Sequence, residues 1–375
     1  MNIAIYQPRA SYYVGGGEVV TLEQAHFLTL HGHSVTLVTT KAPFIKESEY
    51  FKKFRIKNKN IKIIYINVPE YYKWIYSILP GTNWYRWHLE SLCIGQLALR
   101  YFLSCGFDVV AVHNVLDIIS IPGKQKSVMH LHGYPPHADS IHEACLALPN
   151  RLIADSEYIK RQWQSMVKLN RCVVATNGVR SDCFVPNSTA LKQYDILYVG
   201  RLIAIKGVDY LIKAVAKLRK QWPDIRVAIV GIGPEKGSLE KLTKKLRLSR
   251  WVKFIGYVDS NDLLSFYNAA RIAVFPSYDR EGILTTMLEA ASCGLPIITT
   301  TACSMHEFLH NRKTGLLVQP RNSSALSRAI LEMHHNKKLW CRLGAVARKE
   351  IVAGWDWDIK IKAVEKIYEK ALFSN

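Results

Sequence analysis

Residues 275–300 read FPSYDREGILTTMLEAASCGLPIITT. An apolar run from Ile272 to Phe275 passes into a polar loop, then into a helix-forming segment from about Ile283. Gly294-Leu295-Pro296 ends that segment, and Ile297 to Thr300 is apolar again. Strand, loop, helix and strand in this order make the repeating unit of a parallel α/β sheet. Two carboxylates in the stretch, Glu281 and Glu289, stand eight positions apart. At 1.5 Å per helical residue they would be roughly 12 Å apart. That is too far to share a proton or grip one metal ion, and it suits two anchors for one elongated polar ligand. Open α/β sheets bind ligands in the crevice outside the carboxyl ends of their strands, which is where the loop carrying Glu281 falls.

The same alternation extends in both directions. Strands are expected at Ile3 to Tyr6, Val35 to Thr39, Ile61 to Ile66, Val109 to Val112, Ser127 to Leu131, Leu152 to Ala154 and Val173 to Ala175. A helix from about Glu18 to His31 stops at Gly32. Phe184 to Thr189 interrupts the pattern and reads as a linker, after which strands recur at Ile196, Val227, Val252, Ile272, Ile297 and Leu316. Val208, Leu211, Ile212, Val215 and Leu218 repeat at the spacing of one helical face. Two doubly wound domains with a cleft between them are the expected architecture. Their bounds are 1–185 and 190–354, with a closing segment 355–375 whose helix covers Ile359 to Leu372.

With 375 residues, 49% hydrophobic and 21% charged, the chain has the composition of a globular protein with sizeable cores. No run of 18 apolar residues suggests a membrane span. The opening MNIAIYQPRA lacks the basic start and long apolar core of a signal peptide. Eight cysteines without CxxC spacing are expected to be reduced thiols, not a zinc site or a disulfide framework. A formal net charge of +20 points to anionic partners. Lys46, Lys52, Lys53, Arg55, Lys57 and Lys59 precede a stretch rich in Tyr and Trp, from Tyr65 through Tyr71, Tyr72, Trp74, Tyr76, Trp84 and Tyr85 to Trp87. Cations beside amphipathic rings suit an anionic membrane surface, so the Lys41–Trp87 region is read as a membrane-surface contact. The alternative is a solvated basic loop followed by a core-packed aromatic helix.

Several strand ends carry groups that can hold an anion or a sugar. Gly200-Arg201-Leu202-Ile203-Ala204-Ile205-Lys206-Gly207 leaves a strand and opens a helix, placing a guanidinium and an ammonium five positions apart. Arginine offers a planar fork and lysine a point charge to phosphate oxygens, so the pair could neutralise a diphosphate without a metal. Gly231-Ile232-Gly233-Pro234 fails the dinucleotide fingerprint because position 236 is Lys236. Gly15-Gly16-Gly17 fails it too, lying about nine residues beyond the first strand. Both are read as close backbone approaches, the triple glycine with a phosphate or sugar near the following helix. His130-Leu131-His132-Gly133 ends a strand; one of the two imidazoles is expected to face the cleft as a hydrogen-bonding group, and no metal site is expected.

Taken in order, these residues resemble the retaining nucleotide-sugar glycosyltransferases of family 4, which have the GT-B fold. The resemblance runs from Gly15-Gly16-Gly17-Glu18 and His132-Gly133 through Asn177-Gly178-Val179, Gly200-Arg201 with Lys206-Gly207, and Gly231-Ile232-Gly233-Pro234. It ends with Glu281, Glu289, Gly294-Leu295-Pro296 and Trp355-Asp356-Trp357. It implies that Arg201 and Lys206 hold the donor diphosphate, that Glu289 takes the ribose hydroxyls, and that Glu281 contacts the transferred sugar. It further implies that amides of Gly282, Ile283 and Leu284 touch sugar and phosphate, and that His132 lies near sugar and acceptor. Gly16, Gly17 and Gly200 would line the donor site. The sequence departs from the family at Arg180, where aspartate is typical, and at Gly17, where alanine is common.

The implied reaction is metal-independent, front-face hexosyl transfer with retained configuration, from a UDP-sugar or GDP-sugar and without a cofactor. Cationic groups and helix amides would stabilise charge on the leaving diphosphate while the sugar becomes oxocarbenium-like. A glycan or lipid-linked acceptor in bacterial cell-surface polysaccharide or glycolipid assembly is expected, at a cytoplasmic location peripheral to the inner face of the plasma membrane. Competing readings are a small soluble acceptor, a GT-B epimerase or phosphorylase, and an inactive partner subunit. The basic residues follow no nucleic-acid-binding motif, so no nucleic-acid partner is expected.

Overall fold

The apolar runs become two parallel sheets. A computed structural model describes residues 1–78, 84–134, 138–169 and 171–373. The first sheet contains β1 (Asn2–Tyr6), β2 (Ser34–Lys41), β3 (Lys62–Asn67), β4 (Val109–Val112), β5 (Ser127–Leu131), β6 (Arg151–Ala154) and β7 (Cys172–Val174). Their order across the sheet is β3-β2-β1-β4-β5-β6-β7. The second contains β8 (Tyr194–Val199), β9 (Val227–Val230), β10 (Val252–Gly256), β11 (Ala270–Phe275), β12 (Ile297–Thr300) and β13 (Leu316–Val318), in the order β10-β9-β8-β11-β12-β13. All pairings are parallel, as in β1 with β4 and β8 with β11. Strands covered on both faces need continuous apolar sequence, and β4 and β9, VVAV and VAIV, are buried throughout. The doubly wound α/β class expected from the sequence is therefore present in both halves.

Helices cover these sheets because their apolar residues recur on one face. The helix Val208–Leu218 buries Val208, Leu211, Ile212, Val215 and Leu218, all at 2% exposure or less. Burying each such side chain favours the fold by about 1.5–3 kcal/mol. The helix after β11 starts at Thr285, two residues later than the sequence pattern suggested, so Glu281 lies in the loop and Glu289 in the helix Thr285–Ser292.

Two compact units divide the chain, one made of Met1–Thr176 with Lys360–Asn375 and the other of Asn177–Ile359. Both boundaries differ from the sequence reading of 185/190 and 354/355, and for one reason. The Asn177-Gly178-Val179 segment is tied to Trp355-Asp356-Trp357. The Val179 N–H donates to the Trp355 carbonyl (2.9 Å), and the Trp357 N–H to the Val179 carbonyl (3.2 Å). Asp356 Oδ2 accepts from both the amide (3.1 Å) and the hydroxyl (2.5 Å) of Ser181. Both segments thus belong to the second unit.

The last helix, Trp357–Leu372, returns to the first unit. Its Glu365 accepts from Nδ1 of His31 at 2.9 Å and Nε2 of His33 at 3.0 Å. Its Tyr368 hydroxyl is 2.8 Å from Nε2 of His130. Among the described residues, no helix is long and apolar enough to cross a membrane.

Candidate active site

In the second unit the strand order reverses between β8 and β11, the place where doubly wound sheets bind ligands. The loops leaving these two strands carry Gly200-Arg201…Lys206 and Pro276…Glu281. They touch because Gly207 has no side chain. Its φ is +66°, and a Cβ there would come within 2.2 Å of the Pro276 carbonyl oxygen. The Tyr278 N–H then donates to the Ile205 carbonyl (2.9 Å). Gly231, at φ +137°, makes the other approach: a Cβ would lie 1.9 Å from the Gly200 carbonyl oxygen. What the Gly231-Ile232-Gly233 segment approaches is the Gly200–Leu202 backbone, and the Leu202 N–H donates to the Ile232 carbonyl (2.8 Å).

This packing brings Lys206 to Glu281. Lys206 Nζ lies 2.9 Å from Glu281 Oε2, with both side chains nearly buried. Burial lowers the Lys206 pKa below the ordinary lysine value, and the Glu281 charge acts in the opposite direction. The other Glu281 oxygen, Oε1, is buried without a hydrogen-bond partner. The carbonyl of Glu281 is held by the Ser304 hydroxyl at 3.2 Å. On either side, Arg280 and Cys303 adopt left-handed backbone at φ 53° and 60°, uncommon for residues with a Cβ. Arg201 is exposed, and its carbonyl accepts from the Tyr198 hydroxyl (2.9 Å).

Gly282, Ile283 and Leu284 are buried and lead into the N-terminus of the helix Thr285–Ser292. Among the described residues their N–H groups have no intramolecular acceptor. Buried amides require partners, and a helix N-terminus is electropositive, so this turn is suited to an anion. On the helix itself, Glu289 Oε2 accepts from the Tyr267 hydroxyl at 2.7 Å. Burial and that carboxylate raise the Tyr267 pKa well above its ordinary value, so the phenol remains a donor.

The first unit carries its own cluster at strand ends. His113 follows β4, His130 lies in β5 and His132 follows it. His113 Nδ1 is 2.9 Å from His132 Nε2, and the His113 ring stacks on His130 at 4.4 Å and on His132 at 5.2 Å between centroids. The expectation that His130 and His132 point in different directions is overturned. Residues two apart share a face of a strand, and these two rings are nearly parallel, 6.1 Å apart. Burial depresses all three imidazoles, His132 to about 4. In the neutral pair one ring donates to the other, so their tautomers are coupled. Gly16 and Gly17 open the helix Gly16–Leu30, and a Cβ on Gly17 would lie 3.8 Å from His132 Cδ2. The alanine common in the family would fit there.

Within each unit, then, expected site residues converge. Lys206 and Glu281 form one contact, with Arg201, Gly282, Ile283, Leu284 and Glu289 on the same pair of loops and the following helix. Gly17 and His132 form another. Sequence reasoning missed Tyr198, Tyr267, Ser304 and His113. Only His113 had a local signal, its place directly after an apolar strand. In the Lys41–Trp87 region, Lys52 pairs with Glu49 (2.7 Å) and Arg55 with Glu47 (3.4 Å). Tyr71 and Trp74 are exposed, whereas Trp87 packs with Tyr13 and Arg9. The side chains of Trp84 and Tyr85 lie outside the described residues.

Residues 14–182 match the family model described as Glycosyltransferase Family 4, and residues 182–350 match Glycosyl transferases group 1. The chain is 31% identical over 175 residues to a glycogen synthase of Mycobacterium tuberculosis, covering 46% of this chain and 42% of that one. It is 28% identical over 197 residues to a GDP-mannose-dependent alpha-(1-6)-phosphatidylinositol monomannoside mannosyltransferase of the same organism, covering 48% and 51%. The chain spans about half the length of the curated relatives it matches. A sucrose-phosphate synthase from Thermosynechococcus elongatus superposes with TM-score 0.82 at 20% identity, covering 100% of this chain and 99% of that one. Anabaena HepE, crystallised with UDP and glucose, gives 0.79 at 17% identity, covering 99% and 100%. These structures share the GT-B fold, and the chain belongs to the glycosyltransferases of family 4.

Proposed function

We propose that the protein transfers a hexose or N-acetylhexosamine from a nucleoside diphosphate sugar to a glycan or lipid-linked acceptor, with retention and without a metal. The observation that carries this reading is the row of buried N–H groups on Gly282, Ile283 and Leu284, running into a helix N-terminus on the loop that pairs Glu281 with Lys206. Such a row takes an anionic oxygen array. Arg201 and Lys206 add the positive charge that a departing diphosphate needs, and preorganised donors of this kind act where charge develops in the transition state.

Glu281 offers the transferred sugar a buried acceptor oxygen, Oε1, while Lys206 restrains its other oxygen. Glu289, fixed by Tyr267, is placed one helical turn into the helix to accept from ribose hydroxyls. His132, neutral and restrained by His113, is the group we assign near the sugar and acceptor. The HepE complexes with UDP and glucose and the GDP-mannose named for the mannosyltransferase relative support a nucleotide-sugar donor. The exposed Tyr71 and Trp74, together with the basic residues of the helix Glu49–Lys57, support an acceptor met at an anionic membrane surface.

Thermal-shift screening against a panel of UDP- and GDP-sugars tests the reading, because a ligand of the native state raises apparent stability. One donor is expected to raise the melting temperature in the wild type and not in Arg201→Ala. A panel without any such shift, or an anomeric configuration inverted in the product by NMR, would overturn it.

A further inference from the structure

At the opposite, amino-terminal edge of β8, β9 and β11 the second unit contains a cavity of about 780 Å³. Asp195 is the second residue of β8, Arg271 the second of β11, and Arg226 immediately precedes β9. β8 is six residues long, so this edge lies roughly 16–20 Å from the loop carrying Arg201. The cavity is therefore separate from the candidate donor site.

Four cations line it, Arg226, Arg250, Arg271 and Lys337, against two carboxylates, Asp195 and Asp224. Asp195 is buried and acts as the internal brace. Its Oδ1 lies 3.2 Å from Arg271 Nε, and its Oδ2 lies 3.7 Å from Arg226 Nε while accepting the Arg226 backbone N–H at 2.8 Å. Two guanidinium groups are thereby fixed at the rim. Among the described residues neither Arg250 nor Lys337 forms an ion pair, so the cavity keeps an excess of positive charge.

Its apolar walls are the rings of Trp222, Trp251 and Trp340. Trp222 stacks on His334 with centroids 3.4 Å apart. Trp251 is held by its Nε1–H, which donates to the Pro223 carbonyl (2.5 Å), and by the Arg219 guanidinium over its ring at 5.5 Å. With the indole N–H of Trp251 already used, that ring offers a ligand its edge and face. A concave volume in the small-molecule range argues against a flat membrane surface or a nucleic-acid groove. Flat rings suit the C–H faces of a sugar, and guanidinium forks suit phosphate or carboxylate oxygens.

We propose that this cavity binds an anionic saccharide, either a sugar phosphate or a uronate-bearing oligosaccharide, independently of the donor site. The saccharide half of the assignment rests on the sugar-transfer reading above, and the anion half rests on the cavity alone.

Titration calorimetry on the full chain tests it, with glucose 6-phosphate, trigalacturonate and inorganic phosphate as separate probes. One of the two sugar anions is expected to bind, and which one identifies the source of the ligand. The exposed, unpaired Arg250 and Lys337 can be changed together to glutamine without disturbing the core. That double variant should bind at least about tenfold more weakly, since each charged hydrogen bond lost is substantial. Arg201→Ala should bind as wild type does. Failure of both sugar anions to bind, equal binding of inorganic phosphate, unchanged binding by the double variant, or loss in Arg201→Ala would each overturn the proposal. A failed nucleotide-sugar screen leaves this titration readable, so the two readings fail separately.

Discussion

Lys206 Nζ and Glu281 Oε2 lie 2.9 Å apart, on side chains only 10% and 11% exposed, although 75 positions separate them in the chain. Removing one member of a buried pair leaves an uncompensated charge and costs about 3–5 kcal/mol. Lys206→Ala and Glu281→Ala should each lower stability by roughly that amount. The double variant Lys206→Ala/Glu281→Ala should lose clearly less than the two losses summed. Urea unfolding of all variants closes the cycle, and strictly additive losses would show that the pair is not coupled.

Arg201 provides the complementary case, because its side chain is exposed where that of Lys206 is buried. Arg201→Ala should change stability by less than about 0.5 kcal/mol, as surface substitutions do. Turnover should fall about 100-fold or more, the scale of losing one preorganised donor. Near-normal turnover in a folded Arg201→Ala would remove it from the proposed diphosphate contact.

Two glycine-to-alanine substitutions should have opposite signs. At Gly207 the Cβ would meet the Pro276 carbonyl at 2.2 Å in a left-handed backbone, so Gly207→Ala should cost more than about 1 kcal/mol and pull the Lys206 loop away from Glu281. At Gly17 the Cβ would make ordinary contact with His132. Gly17→Ala is therefore expected to stabilise the helix Gly16–Leu30 by about 0.4–1 kcal/mol. Thermal unfolding compares the two directly, and destabilisation by Gly17→Ala would contradict the placement of its helix against His132.

Stability should fall with acidity in a defined window. The His132 imidazole is held at about 4 against an ordinary 6.5, with His113 and His130 lowered by burial as well. As pH drops below 6.5 the unfolded chain takes up these protons before the folded chain does. The stability present above that value is lost progressively towards pH 4. For His132 alone a shift of this size is on the order of 3 kcal/mol. His132→Gln should flatten the dependence of the unfolding midpoint between about pH 6.5 and 4; an unchanged slope would place the titration elsewhere.

Vesicle binding is expected to depend on charge. At low salt the protein should sediment with anionic vesicles and should be released at high salt, because surface attraction decays within a Debye length. Neutralising Lys52, Lys53 and Lys57 together should weaken it on the order of 100-fold, at about 1 kcal/mol per lysine near the surface. Unchanged binding would move the contact away from the helix Glu49–Lys57.

By itself the sequence determined the α/β alternation, the amphipathic face of Val208–Leu218 and the loop–helix placement of Glu281 and Glu289. These are local properties: a strand buried on both faces must be apolar throughout, and a helix repeats its face every three or four residues. Only the tertiary structure decided who meets whom. Val179 with Trp355 moved both domain boundaries, and Tyr368 with His130 put the last helix on the first unit. Tyr267 on Glu289, His113 on His132 and Lys206 on Glu281 fixed the state of the candidate site residues. Each of these contacts joins residues far beyond one helical turn. The Lys206–Glu281 contact also depends on a close backbone approach, Gly207 against Pro276, that no local periodicity encodes.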